Sequence, residues 1–288
     1  MHGNITMMRR LALALLLLAC GALPAEAASC RTPTATGVVF GTYTGTLVEI
    51  TGTITVHCTN GAAYDVGLSG GDSGSVTART MENGAYKLNY ALTSVSYTGT
   101  NWGNTSPTWV TGTGSGANQV LTVYGELAAA QYVAPGAYTD TITVTVSGAS
   151  FTTKTTTFTV TATVVKDCGV SATNLAFGNY TGAVNNSTST VTVTCTNTTT
   201  YTVGLSAGLA TGATVTTRKM QDGTYLLNYA LYSNSTHTTN WGNTAATNWV
   251  AGTGSGIAQP LTVYGQIAAA QYVTPGSYTD TITATVTY

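Results

Sequence analysis

Charge is scarce in this chain: Asp, Glu, Lys and Arg make up 7% of its 288 residues. Such a balance suits an all-β exported protein better than a helical cytosolic one. The formal net charge is −1, and outside residues 1–27 seven basic side chains face nine acidic ones. With no basic patch, neither nucleic acid nor an anionic membrane is expected as a partner. Long apolar runs are also missing. The one continuous stretch, Leu11 to Ala19, is too short to cross a bilayer. Histidine is rare, at three residues. The chain repeats internally, and His57 aligns with Thr194 and His237 with Thr98, so neither recurs; neither sits near an acid and a nucleophile in sequence. No glycine-rich run has a P-loop or dinucleotide pattern, and Gly112–Gly116 reads as a turn. No enzymatic activity, cofactor or metal is expected.

Residues 1–27 carry an export signal. Met7-Met8-Arg9-Arg10 supplies the charged start, the run from Leu11 the apolar core, and Ala25-Glu26-Ala27 the small-residue cleavage site. The mature chain is expected to begin near Ala28. Cys20, after Leu17-Leu18-Ala19, also resembles a lipoprotein acylation site, but the downstream Ala-x-Ala favours ordinary cleavage.

Four cysteines remain: Cys30, Cys58, Cys168 and Cys195. Export takes them into an oxidising compartment, where pairs become disulfides. Their spacing puts one pair in each half, which predicts Cys30–Cys58 and Cys168–Cys195; pairing across the halves is the alternative. Zinc is disfavoured because no Cys-x-x-Cys occurs and no histidine spacing fits.

The sequence is a duplication. Residues 89–104 (NYALTSVSYTGTNWGN) return at 228–243, and residues 112–146 return at 252–286. Within each copy, short alternating runs lie between turn residues: Val48–Val56, Tyr64–Leu68, Leu121–Tyr124 and Tyr138–Val146 in the first, and Val191–Thr194, Tyr201–Leu205, Leu261–Tyr264 and Tyr278–Val286 in the second. Many short strands at this spacing predict two tandem immunoglobulin-like β-sandwiches. Ala128-Ala129-Ala130 and its counterpart suggest a brief helical turn. Arg79 and Arg218 are expected to cover a domain surface or pair locally. Asp140 and Asp280 are expected to bond backbone amides.

One segment has no second copy. In Thr155–Val165, Phe158, Val160, Ala162 and Val164 alternate with threonines, the pattern of a strand with one buried face. It is joined to Tyr138–Val146 through the flexible Ser147-Gly148-Ala149-Ser150, whereas the second copy has only Thr287 and Tyr288 after Val286. Folded back as a hairpin, it completes the first copy and leaves the second with an open groove flanked by unpaired edges, which another chain must cover. Taken instead as the first strand of the second copy, it leaves the first copy deficient. The expected division is 28–150 for the N-terminal sandwich, 151–166 for linker and strand, and 167–288 for the C-terminal sandwich.

Arg79–Met81 with Leu88–Leu92, Asn-Trp-Gly-Asn, Gly-Thr-Gly-Ser-Gly, Leu-Thr-Val-Tyr-Gly and Pro-Gly-x-Tyr-x-Asp-Thr-Ile-Thr, all present twice, together resemble the spore coat protein U domain, the pilin module of archaic chaperone–usher pili. The resemblance covers nearly all of the mature chain. It implies incomplete sandwiches held by a periplasmic chaperone, passed through an outer-membrane usher to the cell surface, and closed by the N-terminal donor strand of the next pilin. Two-domain subunits of that kind are tip adhesins for a host or abiotic surface. No donor-type segment precedes Cys30, so a fibre-end position is expected. The implied adhesive loops are hydrophobic and lie in the N-terminal domain, where Val95, Tyr97, Trp102 and Trp109 occupy loop-like sequence. Trp102 and Trp109 recur as Trp241 and Trp249, which favours a structural role for them, whereas Val95-Ser96-Tyr97 is replaced by Asn234-Ser235-Thr236. The rivals are a shaft or spore-coat structural protein with tandem modules and a free secreted carbohydrate-binding sandwich.

Overall fold

The computed structural model describes residues 27–244 and 247–288. The expected export signal up to Glu26, with Cys20, lies outside the described residues. Among the described residues no α-helix occurs; a single short 3-10 turn spans Gly71–Ser73, and the rest is strand and connection.

The N-terminal unit contains β1 (Thr34–Ala35), β2 (Val38–Tyr43), β3 (Val48–His57), β4 (Ala63–Leu68), β5 (Arg79–Asn83), β6 (Tyr86–Thr93), β7 (Val110–Thr113), β8 (Asn118–Leu127), β9 (Gly136–Ser147) and β10 (Lys154–Val164). One layer runs β1-β3-β8-β6 and the other β2-β10-β9-β4-β7, with β5 pairing β6 and touching β9 at Glu82↔Thr139. Period-two alternation sends Ile54, Val56, Val66, Leu68, Leu88, Leu92, Val123, Ile142 and Val144 into one core between the layers.

The C-terminal unit contains β11 (Cys168–Ala172), β12 (Asn185–Cys195), β13 (Thr200–Leu205), β14 (Arg218–Asp222), β15 (Tyr225–Tyr232), β16 (Val250–Thr253), β17 (Gln259–Ile267) and β18 (Ala284–Thr287). Its layers are β11-β12-β17-β15-β14 and β16-β13-β18. Disulfides join Cys30 to Cys58 and Cys168 to Cys195, one within each unit.

Several sequence expectations change here. Arg79 and Arg218 are not on the surface but fully buried. The Arg79 guanidinium donates to the carbonyls of Ser69 (2.8 Å), Val76 (3.0 Å) and Trp102 (2.6 Å). Arg218 repeats this with Ser206, Val215 and Trp241. A planar fork of five donors can be dehydrated when loop carbonyls accept nearly all of them. Trp102 is also fully buried, with its indole N–H donating to the Val66 carbonyl at 2.8 Å. Ala128–Ala130 forms no helical turn, since Ala130 and its counterpart Ala270 adopt φ of 62° and 63°, which breaks the chain direction instead. The expected strand Tyr278–Val286 is reduced to Ala284–Thr287, the part that β13 still pairs.

Candidate functional site

β10 is the element that distinguishes the two units. It pairs antiparallel with β9 along its whole length, from Lys154↔Val146 to Val164↔Gly136, and parallel with β2 from Val160↔Val38 to Val164↔Tyr43. Phe158, Val160, Ala162 and Val164 are buried, and the threonines between them face outward or are only partly covered. The alternation is what the threonine-rich sequence dictates: β-branched residues suit the pleat, and the apolar set falls on one face. Burying these four side chains contributes about 5–8 kcal/mol before conformational costs.

Nothing among the described residues plays this part in the C-terminal unit. There Leu175, Phe177 and Tyr180 stand where Val38, Phe40 and Tyr43 stand in the first: Leu175 and Phe177 pack beside Gly265 as Val38 and Phe40 do beside Gly125, and the Tyr180 hydroxyl bonds the Ala268 carbonyl as Tyr43 does that of Ala128. Tyr278, Asp280, Ile282 and Ala284 stand where Tyr138, Asp140, Ile142 and Val144 stand. Both edges lack the partner that β10 provides. The segment equivalent to β2 forms no strand, and of the β9 equivalent only β18 does, because β13 lies alongside it there. The sequence Tyr-Thr-Asp-Thr-Ile-Thr is thus a ladder strand in one copy, while in the other it keeps a single bridge, Thr279 to Gln221, and lacks the ladder on the side that β10 covers. A ladder needs a neighbour as well as propensity.

Between these edges lies an open groove. It holds two adjoining cavities, ≈ 580 Å³ and ≈ 630 Å³. Leu175, Phe177, Met220 and Tyr278 line both, and Ile282 and Ala284 extend the floor. Tyr138, Ile142 and Met81 are fully buried, whereas Tyr278, Ile282 and Met220 are only half-covered. The difference falls where β10 is missing.

A polar cluster sits at the groove wall. Asp280 accepts hydrogen bonds from the amides of Leu209 (2.9 Å) and Thr281 (2.7 Å) and from the Tyr229 hydroxyl (2.7 Å). Asp140 makes the same contacts with Asp72, Thr141 and Tyr90 in the closed unit, where it is buried. The two carboxylates bond backbone amides, as the turn-to-strand context suggests. Burial, helped by the adjacent carboxylate, pushes the Tyr90 and Tyr229 hydroxyls well above the ordinary tyrosine range. Burial pulls Arg79 and Arg218 down to about 10, with Tyr90 and Asp140, or Tyr229 and Asp280, opposing the shift. Both guanidinium groups stay charged at neutral pH.

The loop residues singled out in the sequence scatter. Val95 is 79% exposed. Tyr97 is half-covered and meets the Tyr124 ring edge-on with centroids 5.2 Å apart. Trp109 is half-exposed, while Trp102 leaves the set of exposed aromatics because it fills the core. His57 bonds Asn118 at 3.0 Å, and His237 packs against Tyr232 and Tyr264. Among the described residues no three histidines, cysteines or acids cluster as metal ligands.

The architecture is that of a two-sandwich, immunoglobulin-like protein with one unit closed by its own strand and the other open. The chain belongs to the Spore Coat Protein U domain family, whose profile matches residues 16–145 and 154–285. The second match begins at β10, so the family unit counted along the sequence includes a strand that in space completes the preceding sandwich. Protein U of Myxococcus xanthus is 36% identical over 134 residues, covering 42% of this chain and 74% of that protein. Among solved structures, the CsuC–CsuE chaperone–tip adhesion subunit pre-assembly complex from the archaic chaperone–usher Csu pili of Acinetobacter baumannii contains a similar fold. The TM-score is 0.54 at 17% identity, over 90% of this chain and 100% of that one.

Proposed function

We propose that this protein is a structural, non-catalytic subunit of a chaperone–usher pilus, exported through the periplasm to the cell surface, and that it sits at the fibre tip as an adhesin. The single observation carrying this reading is the contrast between the two units: the first is closed by β10, and the second offers an apolar groove with two unpaired edges. Such a groove is an acceptor for a strand from another chain. A periplasmic chaperone covers it first, and the N-terminal strand of the next pilin replaces the chaperone at the usher. The likeness to a chaperone–tip adhesion subunit complex supports the same assignment. A tip subunit needs one self-contained domain to present outward, and the N-terminal sandwich fits that requirement. The adhesive surface is proposed around Val95, Tyr97 and Trp109, where exposed apolar side chains can meet a host or abiotic surface.

Expression in a periplasm tests this. Without a chaperone the chain should aggregate or be degraded from its C-terminal half, and with its cognate chaperone it should emerge as a soluble one-to-one complex. A robust monomer with no helper and a protease-resistant second sandwich would overturn the reading. For the tip role, Val95→Ser with Tyr97→Ser should weaken surface attachment and leave secretion intact; unchanged attachment removes these residues from the adhesive surface.

A further inference from the structure

The junction between the two sandwiches is built on a hydrogen-bonded frame that the C-terminal unit repeats. In the N-terminal unit the segment after β8 turns at Ala130, whose amide donates to Gly45 O at 2.8 Å. Gln131 then clamps β6, its side chain accepting from the Asn89 amide and donating to the Asn89 carbonyl, both at 2.8 Å. The Tyr43 hydroxyl donates to Ala128 O at 2.6 Å and accepts from the Gln131 amide at 3.1 Å. This frame holds Tyr132 out towards the next sandwich. Its carbonyl accepts the amide of Asn197, two residues after Cys195, at 2.9 Å. Gly256 closes over the same carbonyl, and a Cβ there would stand 2.9 Å from the Tyr132 oxygen. With φ of +79°, Gly256 suits that approach as few other residues would.

Every part of the frame recurs in the C-terminal unit. Ala270 donates to Gly182 O at 2.9 Å. Gln271 clamps Asn228 at 2.9 and 2.8 Å. The Tyr180 hydroxyl donates to Ala268 O at 2.7 Å and accepts from Gln271 at 3.0 Å. The residue presented is Tyr272, which is 96% exposed, whereas Tyr132 is half-covered. A bulky aromatic held rigidly in water has no folding purpose, and the same frame is an interface one repeat earlier.

We infer that Tyr272 and the turn around it form a docking surface for the sandwich that follows the strand filling the C-terminal groove. The occupant is a domain of this same family. Its amide two residues after the second cysteine would bond the Tyr272 carbonyl, and a side-chain-free glycine in its Gly-Thr-Gly-Ser-Gly-type turn would lie over it. Continuity along the chain carries this: β10 fills the first groove, Val165 to Asp167 connect it to β11, and the sandwich so delivered meets Tyr132. A strand entering the second groove in the same register delivers its own sandwich to Tyr272. This rests on the strand-acceptor reading, and it adds that the linkage is clamped at a second point, which limits rotation about the short connector.

Two extended chains test it. One carries a second copy of residues 149–288 after Tyr288, reproducing the natural connection, strand and following sandwich. The other carries only a copy of residues 149–165. In both, resistance of the second sandwich to protease reports groove closure, and hydroxyl-radical labelling reports Tyr272. The expected result is closure in both chains, with Tyr272 labelling reduced to the level of Tyr132 only in the longer one. Gly256→Val in the appended copy should restore full labelling of Tyr272 without reopening the groove. Tyr272 labelled equally in both closed chains overturns the docking surface and leaves the acceptor reading standing. Failure of either chain to close the groove rejects both together.

Discussion

At the scale of single residues, the two polar clusters depend on glycine. Gly71 and Gly208 carry φ of +63° and +91°, and a Cβ on either would collide with the carboxylate of Asp140 or Asp280. Only a bare backbone lets the Asp72 and Leu209 amides reach those acids. Gly208→Ala should cost about 1–3 kcal/mol from strain at this conformation, read as a lower midpoint for the C-terminal sandwich in denaturant, with the N-terminal one unmoved. Buried tyrosines set the alkaline limit. Burial pushes the hydroxyls of Tyr43, Tyr64, Tyr90 and Tyr138 above the ordinary 10.0 in the N-terminal unit, and those of Tyr201 and Tyr229 in the C-terminal unit. A raised folded-state pKa holds stability in full below the unfolded value and loses it as pH rises from there. Arg79 and Arg218, pulled down to about 10, act oppositely, relieving a burial cost between about 10 and their ordinary 12.5. With four buried tyrosines against one arginine in the N-terminal unit and two buried tyrosines against one in the other, stability measured by chemical denaturation should be flat through neutral pH. It should fall above about pH 10, more steeply in the N-terminal sandwich. The acids of these clusters were legible in sequence as backbone binders. Their arginines were not, because a charged side chain is ordinarily solvated and only the fold brings enough carbonyls together to replace water. Trp102 was half legible: its recurrence as Trp241 favoured structure over adhesion, but loop-like flanks hid the depth of its burial.

Among elements, β10 decides the asymmetry. Its alternation alone marks a strand and the face it buries, yet leaves its partner open, because a period of two identifies a face and says nothing of the neighbour. The short connection to β9 and the absence of a second copy narrowed the choice, and the ladders to β9 and β2 give the answer. The loss of strand at the β9 equivalent was not legible, since the two sequences there are nearly the same and differ only in what lies alongside. Phe158→Ala should destabilise the N-terminal sandwich by about 3–5 kcal/mol, through lost burial and the cavity left behind. Thermal unfolding should show that transition moving down while the C-terminal one stays in place.

For the whole molecule, the described residues hold both states of the same fold: a sandwich with its last strand and a sandwich that lacks it. Duplication, two disulfide-clamped units and an all-β class could all be read from residue order, since they rest on local patterns. Asymmetry between the units could be read only as a shortage of one strand. Two unfolding steps are expected, the C-terminal sandwich melting first, because it lacks a contribution comparable to the net stability of a domain. The most direct measurement is amide hydrogen exchange on the full chain, released from its chaperone into dilute solution, with and without a free peptide of the sequence Lys154–Val164. The amides of Tyr138, Asp140 and Ile142, on the β10 side, should be protected throughout, whereas those of Tyr278, Asp280 and Ile282 should exchange quickly alone and become protected when the peptide binds. Amides of Tyr278, Asp280 and Ile282 already as slow as those of Tyr138, Asp140 and Ile142 in the free chain, and unaffected by the peptide, would contradict an open strand-accepting groove.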